Sequence, residues 1–475
     1  TRETCNPLEP RRTWSITRPF SRVLIGALRR AGCPGLCRRR LSRGAVRVIA
    51  AMVAAANDRS SRSRGRPWMP DVVVFPAMRI TGVRTFVVGN PTPGYGGRYF
   101  ILLKLETDAG IEGVGEAYVA TVSPHLVARM IEDVVERHVV GRDPFHIEAT
   151  WRDVYASGYA LRPDPTLVGV LSGIELALWD IAGKAVGKPV YELLGGRVRE
   201  RLRTYSYLYA RPEDARDAYL DPELGAERAG EYAALGFTAI KFDPAGAYAS
   251  FDPRQPSLAD LDRCERYVAQ VREAVGPRVD LLFGTHGQFT PAGAIRLARR
   301  LERFDPLWFE EPTPPEAPEE MARVARATSI PIATGERLTT KHEFARVLAA
   351  GAAAILQMNL GRVGGLLEGK KIAALADCHY AQIAPHLYSG PVLGAANIQL
   401  ATCTTNFLIL EGIGRWDGIH AELLKEPIRW EDGDVIPPTA PGLGIELDEA
   451  VALAHPYTGA QLHLEALPGE YPRAP

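Results

Sequence analysis

Lysine is absent from the first 77 of the 475 residues, where sixteen arginines stand against four acidic residues. C-x-x-C pairs and zinc-type cysteine spacings are absent throughout, although six cysteines occur. That removes a zinc module and leaves a reduced, cytoplasmic protein with free thiols as the simple expectation. No uncharged apolar run reaches the roughly 18–20 residues of a membrane helix, so no membrane span is expected. Net charge is missing too: 56 basic residues balance 56 acidic ones. A balanced chain argues against a whole-protein nucleic-acid binder. Neither a phosphate loop nor a nucleophile elbow is evident.

What is present is globular: 46% hydrophobic and 24% charged residues. The charge balance hides a split, because residues 1–77 carry a net +12 and the remainder −12. Residues 1–77 read as a disordered basic extension ahead of Met78. An organelle presequence and a nucleic-acid contact are the functional alternatives for it. Arg11-Arg12 does not start a twin-arginine signal, because the apolar stretch Val23–Leu28 is short and ends at Arg29-Arg30.

Residues 78–200 predict an α+β module: strands at Ile80–Val88, Tyr99–Thr107 and around Gly113–Glu116, then helices at Pro124–Val139, His146–Ser157 and Leu171–Val186. From 201 to 430 the pattern alternates. Apolar strands fall at Thr204–Ala210, Thr238–Asp243, Val279–Thr285, Leu307–Glu311, Ile330–Glu336, Ile355–Asn359, Gln382–His386 and Phe407–Glu411. Amphipathic helices such as Leu258–Val275, Thr290–Phe304, Lys341–Ala350 and Gly365–His379 lie between them. This spacing predicts an α/β fold with a TIM-like (β/α)8-type barrel. A doubly wound sheet would want a Gly-rich loop after Thr204–Ala210, and none follows. Residues 431–475 read as a tail with a short strand near Gly442–Leu447, returning to complete the capping module.

Seven of the eight barrel strands end in a residue able to bind a cation or move a proton: Lys241 and Asp243, His286, Glu310-Glu311, Glu336, Asn359, His386 and Glu411. In a parallel barrel, chemistry gathers at that end. Glu310 and Glu336 close successive strands, which run about 4.8 Å apart. Carboxylates so placed call for a cation between them, and oxygen donors favour Mg²⁺. With His386 and Lys241 facing across such an ion, the layout suits removal of a proton beside a carboxylate.

These motifs resemble the enolase superfamily, in its mandelate racemase and muconate lactonising branch. The resemblance spans about 78–465 and rests on Trp308-Phe309-Glu310-Glu311-Pro312, Thr334-Gly335-Glu336-Arg337, Gly364-Gly365, Ala384-Pro385-His386 and the segment Gly173–Gly187. His286-Gly287, Pro385-His386 and Glu411 look closest to galactonate-type acid-sugar dehydratases. The resemblance implies one Mg²⁺ per active site on Glu310 and Glu336. It implies His386 as the base and His286 as the acid for the departing 3-hydroxyl. Lys241 would meet the substrate carboxylate or serve as a base, and Glu411 would hydrogen-bond the enediolate. It also implies a homo-oligomer acting on a small sugar acid.

Two positions depart from the family pattern. Gly284 stands where the first magnesium ligand, an Asp, is expected. Asn359 stands where an Asp would orient and charge the strand-7 histidine. Asp243 is the expected replacement ligand, with pairing to Lys241 as the alternative and His286 as a weaker nitrogen ligand. Asn359 is expected to accept the His386 Nδ1 proton through its amide oxygen. Arg337, Tyr388 and Tyr95 are candidates for substrate contact, Tyr95 from a glycine-rich loop of the capping module. Dehydration of a sugar acid to a 2-keto-3-deoxy acid is the leading expectation. A racemase, epimerase or cycloisomerase, and a catalytically silent binding protein, are the alternatives.

Overall fold

The computed structural model describes residues 78–159, 163–214, 216–245 and 253–463. The basic extension with Cys5, Cys33 and Cys37, and the final segment 464–475, lie outside the described residues. The chain falls into two units, Thr1–Phe75 and Pro76–Pro475, and all described residues belong to the second.

Strands β1 (Ile80–Gly89), β2 (Tyr99–Thr107) and β3 (Glu112–Ala117) form an antiparallel sheet in that order. Helices Pro124–His138, Ile147–Ala156 and Pro165–Val186 follow. The third begins six residues before the expected Leu171. Pro165 takes the first helical position, where no N–H is needed, and the Asp164 carboxylate accepts from the N–H groups of Thr166 and Leu167. This helix is long and apolar enough to cross a membrane, but 83% of its apolar window is buried inside the protein. It packs so closely on β3 that a Cβ at Gly115 would lie 2.0 Å from the Gly173 carbonyl oxygen.

Eight parallel strands follow: β4 (Leu202–Tyr207), β5 (Ala239–Phe242), β6 (Asp280–Gly284), β7 (Trp308–Glu310), β8 (Ile332–Thr334), β9 (Ile355–Leu356), β10 (Gln382–Ile383) and β11 (Leu410–Gly412). They pair in sequence from β4 to β10, and Ile383 bridges Phe407. Pairing of β11 with β4 then closes the barrel. A helix stands between each successive pair, from Pro222–Ala234 to Pro391–Thr402.

Side chains two residues apart on a strand share a face. One buried layer inside the barrel takes a residue from each strand or its extension: Tyr205, Ala239, Leu282, Trp308, Ala333, Ile355, Ala384 and Ile409. Two residues further toward the strand ends stand Tyr207, Lys241, Gly284, Glu310, Gly335, Gln357, His386 and Glu411. The apolar layer is thus the floor of the site, and the polar layer is the next row up.

The tail differs in detail from expectation. A hairpin of β12 (Trp430–Glu431) and β13 (Asp434–Val435) pairs with the start of β4, so these residues join the barrel. Gly442 and Leu447 form only isolated bridges, to Pro189 and Leu424. Pro437, Pro438 and Pro441 lack the N–H groups a ladder would need. Further on, the Gly89 N–H donates to the His455 carbonyl (2.7 Å) and the Tyr457 N–H to the Val87 carbonyl (2.9 Å), at the edge of β1.

Candidate active site

Gly284 and Glu310 are in register, while Lys241 pairs with Leu282, one row lower. The Lys241 side chain runs up past Gly284 and places Nζ 2.7 Å from Glu310 Oε1 and 3.5 Å from Glu411 Oε1. A Cβ at position 284 would lie 2.7 Å from Lys241 Cε. The missing side chain is the space the lysine uses. Burial disfavours the ammonium, but Glu310, Glu411 and Glu336 outweigh it and raise the Lys241 pKa.

Glu310 Oε2 accepts from the Gln357 amide (2.6 Å) and the Trp308 indole (3.2 Å). Glu411 Oε2 accepts the Leu387 N–H (2.7 Å). Glu310 is opposite Ala333, so Glu336 sits three residues beyond that row instead of beside Glu310. Its neighbour is His386, whose Nε2 lies 3.4 Å from Glu336 Oε2. Burial resists ionisation of Glu336, but His386, His286, Lys241 and Arg337 together hold its carboxyl well below the ordinary range. Burial pushes both His386 and His286 down to about 4, so both are neutral at pH 7. Lys241 and Arg337 therefore carry the positive charge around Glu336 at that pH.

Asp243 does not join these carboxylates. Its Oδ1 accepts from the Ala245 N–H (2.8 Å) and its Oδ2 from the Gln288 amide (3.0 Å). Among the described residues no group of three or more His, Cys, Asp or Glu is placed to hold a metal ion. The expected set Glu310, Glu336 and Asp243 is thus not assembled. Glu310 has a lysine on one oxygen and two neutral donors on the other, and Asp243 serves its own loop. The donors present do not fit a three-carboxylate magnesium site.

Asn359 also differs from expectation. Its Oδ1 accepts the Gly361 N–H (2.9 Å), and its Nδ2 faces His386 Nδ1 at 2.9 Å. A backbone N–H can only donate, so the amide oxygen must face Gly361 and the NH₂ must face the imidazole. His386 Nδ1 is then the acceptor, and the ring hydrogen sits on Nε2, toward Glu336.

Arg337, after β8, is engaged by the turns that follow β7 and β6. Its Nε donates to Glu311 Oε2 (2.8 Å) and its Nη2 to the His286 carbonyl (3.0 Å). His286 and Glu311 both have positive φ, 45° and 36°, and the Gly287 N–H donates to the Glu311 carbonyl (2.7 Å). These are uncommon conformations for non-glycine residues. The guanidinium fork ties these two turns together. Tyr95 stacks on Tyr209 with ring centres 4.5 Å apart and donates to the Ala210 carbonyl (3.2 Å), closing the capping loop over the end of β4. Tyr388 lies against His463, whose Nε2–H donates to the Tyr388 carbonyl (3.0 Å).

Several groups at the site are not among the candidates read from the sequence. Tyr118, just past β3, meets His386 edge-on at 6.1 Å and is covered by His463 at 5.3 Å. Gln357 and Trp308 are the amide and indole that hold Glu310. The Gln357 and Trp308 positions follow from the two-residue rule along β9 and β7; Tyr118 and His463 depend on tertiary packing.

Residues 94–195 match the N-terminal domain of mandelate racemase / muconate lactonizing enzyme, and residues 225–451 match the enolase C-terminal domain-like family. The chain belongs to the mandelate racemase/muconate lactonizing branch of the enolase superfamily. Enzymes of this branch are magnesium-dependent in general. A solved protein of Labrenzia alexandrii assigned to the branch is 63% identical, with a TM-score of 0.80 over 82% of this chain and 99% of that one. A branch member from Jannaschia sp. is 50% identical, with a TM-score of 0.79 over 82% and 100%. D-galactonate dehydratase of Ralstonia nicotianae is 38% identical over 367 residues, covering 74% of this chain and 90% of the relative.

Proposed function

We propose that this branch member dehydrates a sugar acid. The observation that carries the reading is a barrel mouth that gathers two neutral imidazoles, an ionised carboxylate and a lysine, in a chain similar to D-galactonate dehydratases. The C2–H bond breaks and its proton passes to an imidazole. The C3–O bond breaks and the hydroxide leaves as water, taking a proton from His286 that this neutral imidazole must first gain from solvent. The enol left behind becomes a 2-keto-3-deoxy acid. His386 and His286 are the two proton carriers, each contributing about 10²–10⁴-fold. Lys241 faces the developing negative charge, and Glu336 Oε2, which has no hydrogen-bond partner, is an open acceptor for a substrate hydroxyl.

His386 needs its Nε2 lone pair to take a proton. Its hydrogen must then move to Nδ1, and the Asn359 amide must turn its oxygen there, giving up the Gly361 bond. One neutral hydrogen bond costs about 1 kcal/mol. No step here passes through a metal ion. The free thiols of Cys264, Cys378 and Cys403 support a reducing, cytoplasmic setting.

Incubating the chain with a panel of sugar acids in D₂O tests the reading. Keto-acid formation from one member supports it. Deuterium at Cα without loss of water would assign an epimerase or racemase instead.

A further inference from the structure

We propose that the Lys241 ammonium is the resident cation of this site and that it holds Glu310 in place of a divalent ion. Three independent features of the geometry lead there. First, Gly284 removes the side chain expected as the first metal ligand, and Lys241 Cε lies 2.7 Å from where a Cβ would stand. An Asp at 284 and this lysine conformation exclude one another. Second, Nζ sits 2.7 Å from Glu310 Oε1, the oxygen left open once Gln357 and Trp308 have taken Oε2. An Mg²⁺ ion needs its ligand oxygens at about 2.0–2.1 Å in an octahedron. An ion on that oxygen would stand against the ammonium, and like charges at such range repel strongly in a buried site. Third, Asp243, the carboxylate expected to restore a ligand, is engaged by Gln288 and Ala245, as Glu311 is by Arg337 and Glu411 by Lys241 and the Leu387 N–H. Among the described residues, Glu336 Oε2 is then the carboxylate oxygen at the barrel mouth with no hydrogen-bond partner, together with the neutral amide oxygen of Gln357.

The inference goes beyond the proposed reaction, because it concerns which cation the site holds and not which substrate it turns over. A compact ammonium supplies one positive charge facing Glu310 and Glu411, where a divalent ion would supply two. It also needs no recruitment from solution.

The test titrates the full-length chain, freed of metals with a chelator, with Mn²⁺ and reads free ion by electron paramagnetic resonance. The native chain should leave the ion free, binding at least about 100-fold more weakly than the variant Lys241→Ala/Gly284→Asp, which restores a carboxylate and removes the competing charge. In parallel, the melting temperature of the native chain should not move with Mg²⁺, since an ion bound only to the folded state would raise it. One Mn²⁺ bound tightly per native chain overturns the proposal, whatever the variant does. A folded double variant that also leaves Mn²⁺ free overturns the assignment of Lys241 as the group that excludes it. No substrate enters either measurement, so this proposal and the dehydration reading can fail separately.

Discussion

Two sets of carboxylates are buried equally deeply in this protein and are neutralised in opposite ways. At the barrel mouth Glu310 and Glu411 lie on Lys241, and Glu311 on Arg337. At the seam between the three-stranded sheet and the barrel helices, Glu116 accepts the N–H groups of Gly390 and Leu393 (2.5 and 2.8 Å). Glu175 accepts those of Leu366 and Leu367 (2.7 and 2.9 Å). Asp180 accepts those of Val114 and Leu443, with Lys184 beside it at 2.8 Å. Helix starts offer unpaired N–H groups and a favourable dipole, so the first two seam carboxylates act as staples on the helices that follow β9 and β10. Backbone donors cannot swing or titrate. The cations at the mouth are side chains and can turn toward a ligand. Fixed partners hold the fold together; movable partners suit chemistry.

The contrast can be broken most forcefully at Lys241. Lys241→Met keeps the shape and leaves two buried carboxylates without their cation. Loss of about 3–5 kcal/mol in urea unfolding is expected. A loss below about 1 kcal/mol would mean that the lysine is not their counter-ion.

At the seam the expected signature is pH. Burial raises Glu116 from 4.5 to about 7, against the pull of its backbone donors. The folded state therefore holds a proton that the unfolded chain has released. The stabilisation is complete below pH 4.5 and is lost as pH rises through 7, about 3 kcal/mol in all. Glu116→Gln should remove that slope from the difference between variant and native stability. The imidazoles near 4 contribute the opposite slope to both proteins and cancel in the difference.

Arg337→Lys sharpens the comparison at the mouth. A lysine cannot reproduce the fork that spans Glu311 and the His286 carbonyl. About 1.5–3 kcal/mol of charge-assisted bonding is at stake. A tenfold or greater fall in kcat with little change in KM would mark a positioning residue, whereas a rise in KM alone would indicate direct substrate contact.

The smallest expected effect is the most specific. In Asn359→Asp, one oxygen can keep the Gly361 N–H while the other accepts the His386 Nδ1 proton. The added charge favours the imidazolium, so the limb of the pH–rate profile that reports the base should move up by about one unit. An unmoved profile would rule out His386 as the base.

The eight apolar strands, and the polar identities of Lys241, Glu310, His386 and Glu411 above the barrel floor, were legible because both follow from strand periodicity. The departures at Gly284 and Asn359 were legible as identities, but their consequences were not. Where Lys241 goes depends on the space beside Gly284 and on the register of β5 with β6. Which atom of Asn359 faces His386 depends on the Gly361 N–H, two residues on in the following turn. The surroundings of Asp243 were hidden for a related reason. Being two residues beyond Lys241 gives the same strand face but does not show that a loop amide and Gln288 compete for the carboxylate. Glu116 and Glu175 looked like an ordinary strand and helix residue, because their partners lie 274 and 191 residues away.

The junction of β1 with residues 449–457 has a consequence for synthesis. Arg84 and its partner Glu449 are 365 positions apart. The edge of the first sheet leaves the ribosome long before the segment that covers it, and the whole barrel must emerge in between. That edge is an unsatisfied strand for most of translation, and such edges invite pairing with other chains. Arg84, on β1 and partly exposed, places charge near that edge during the wait.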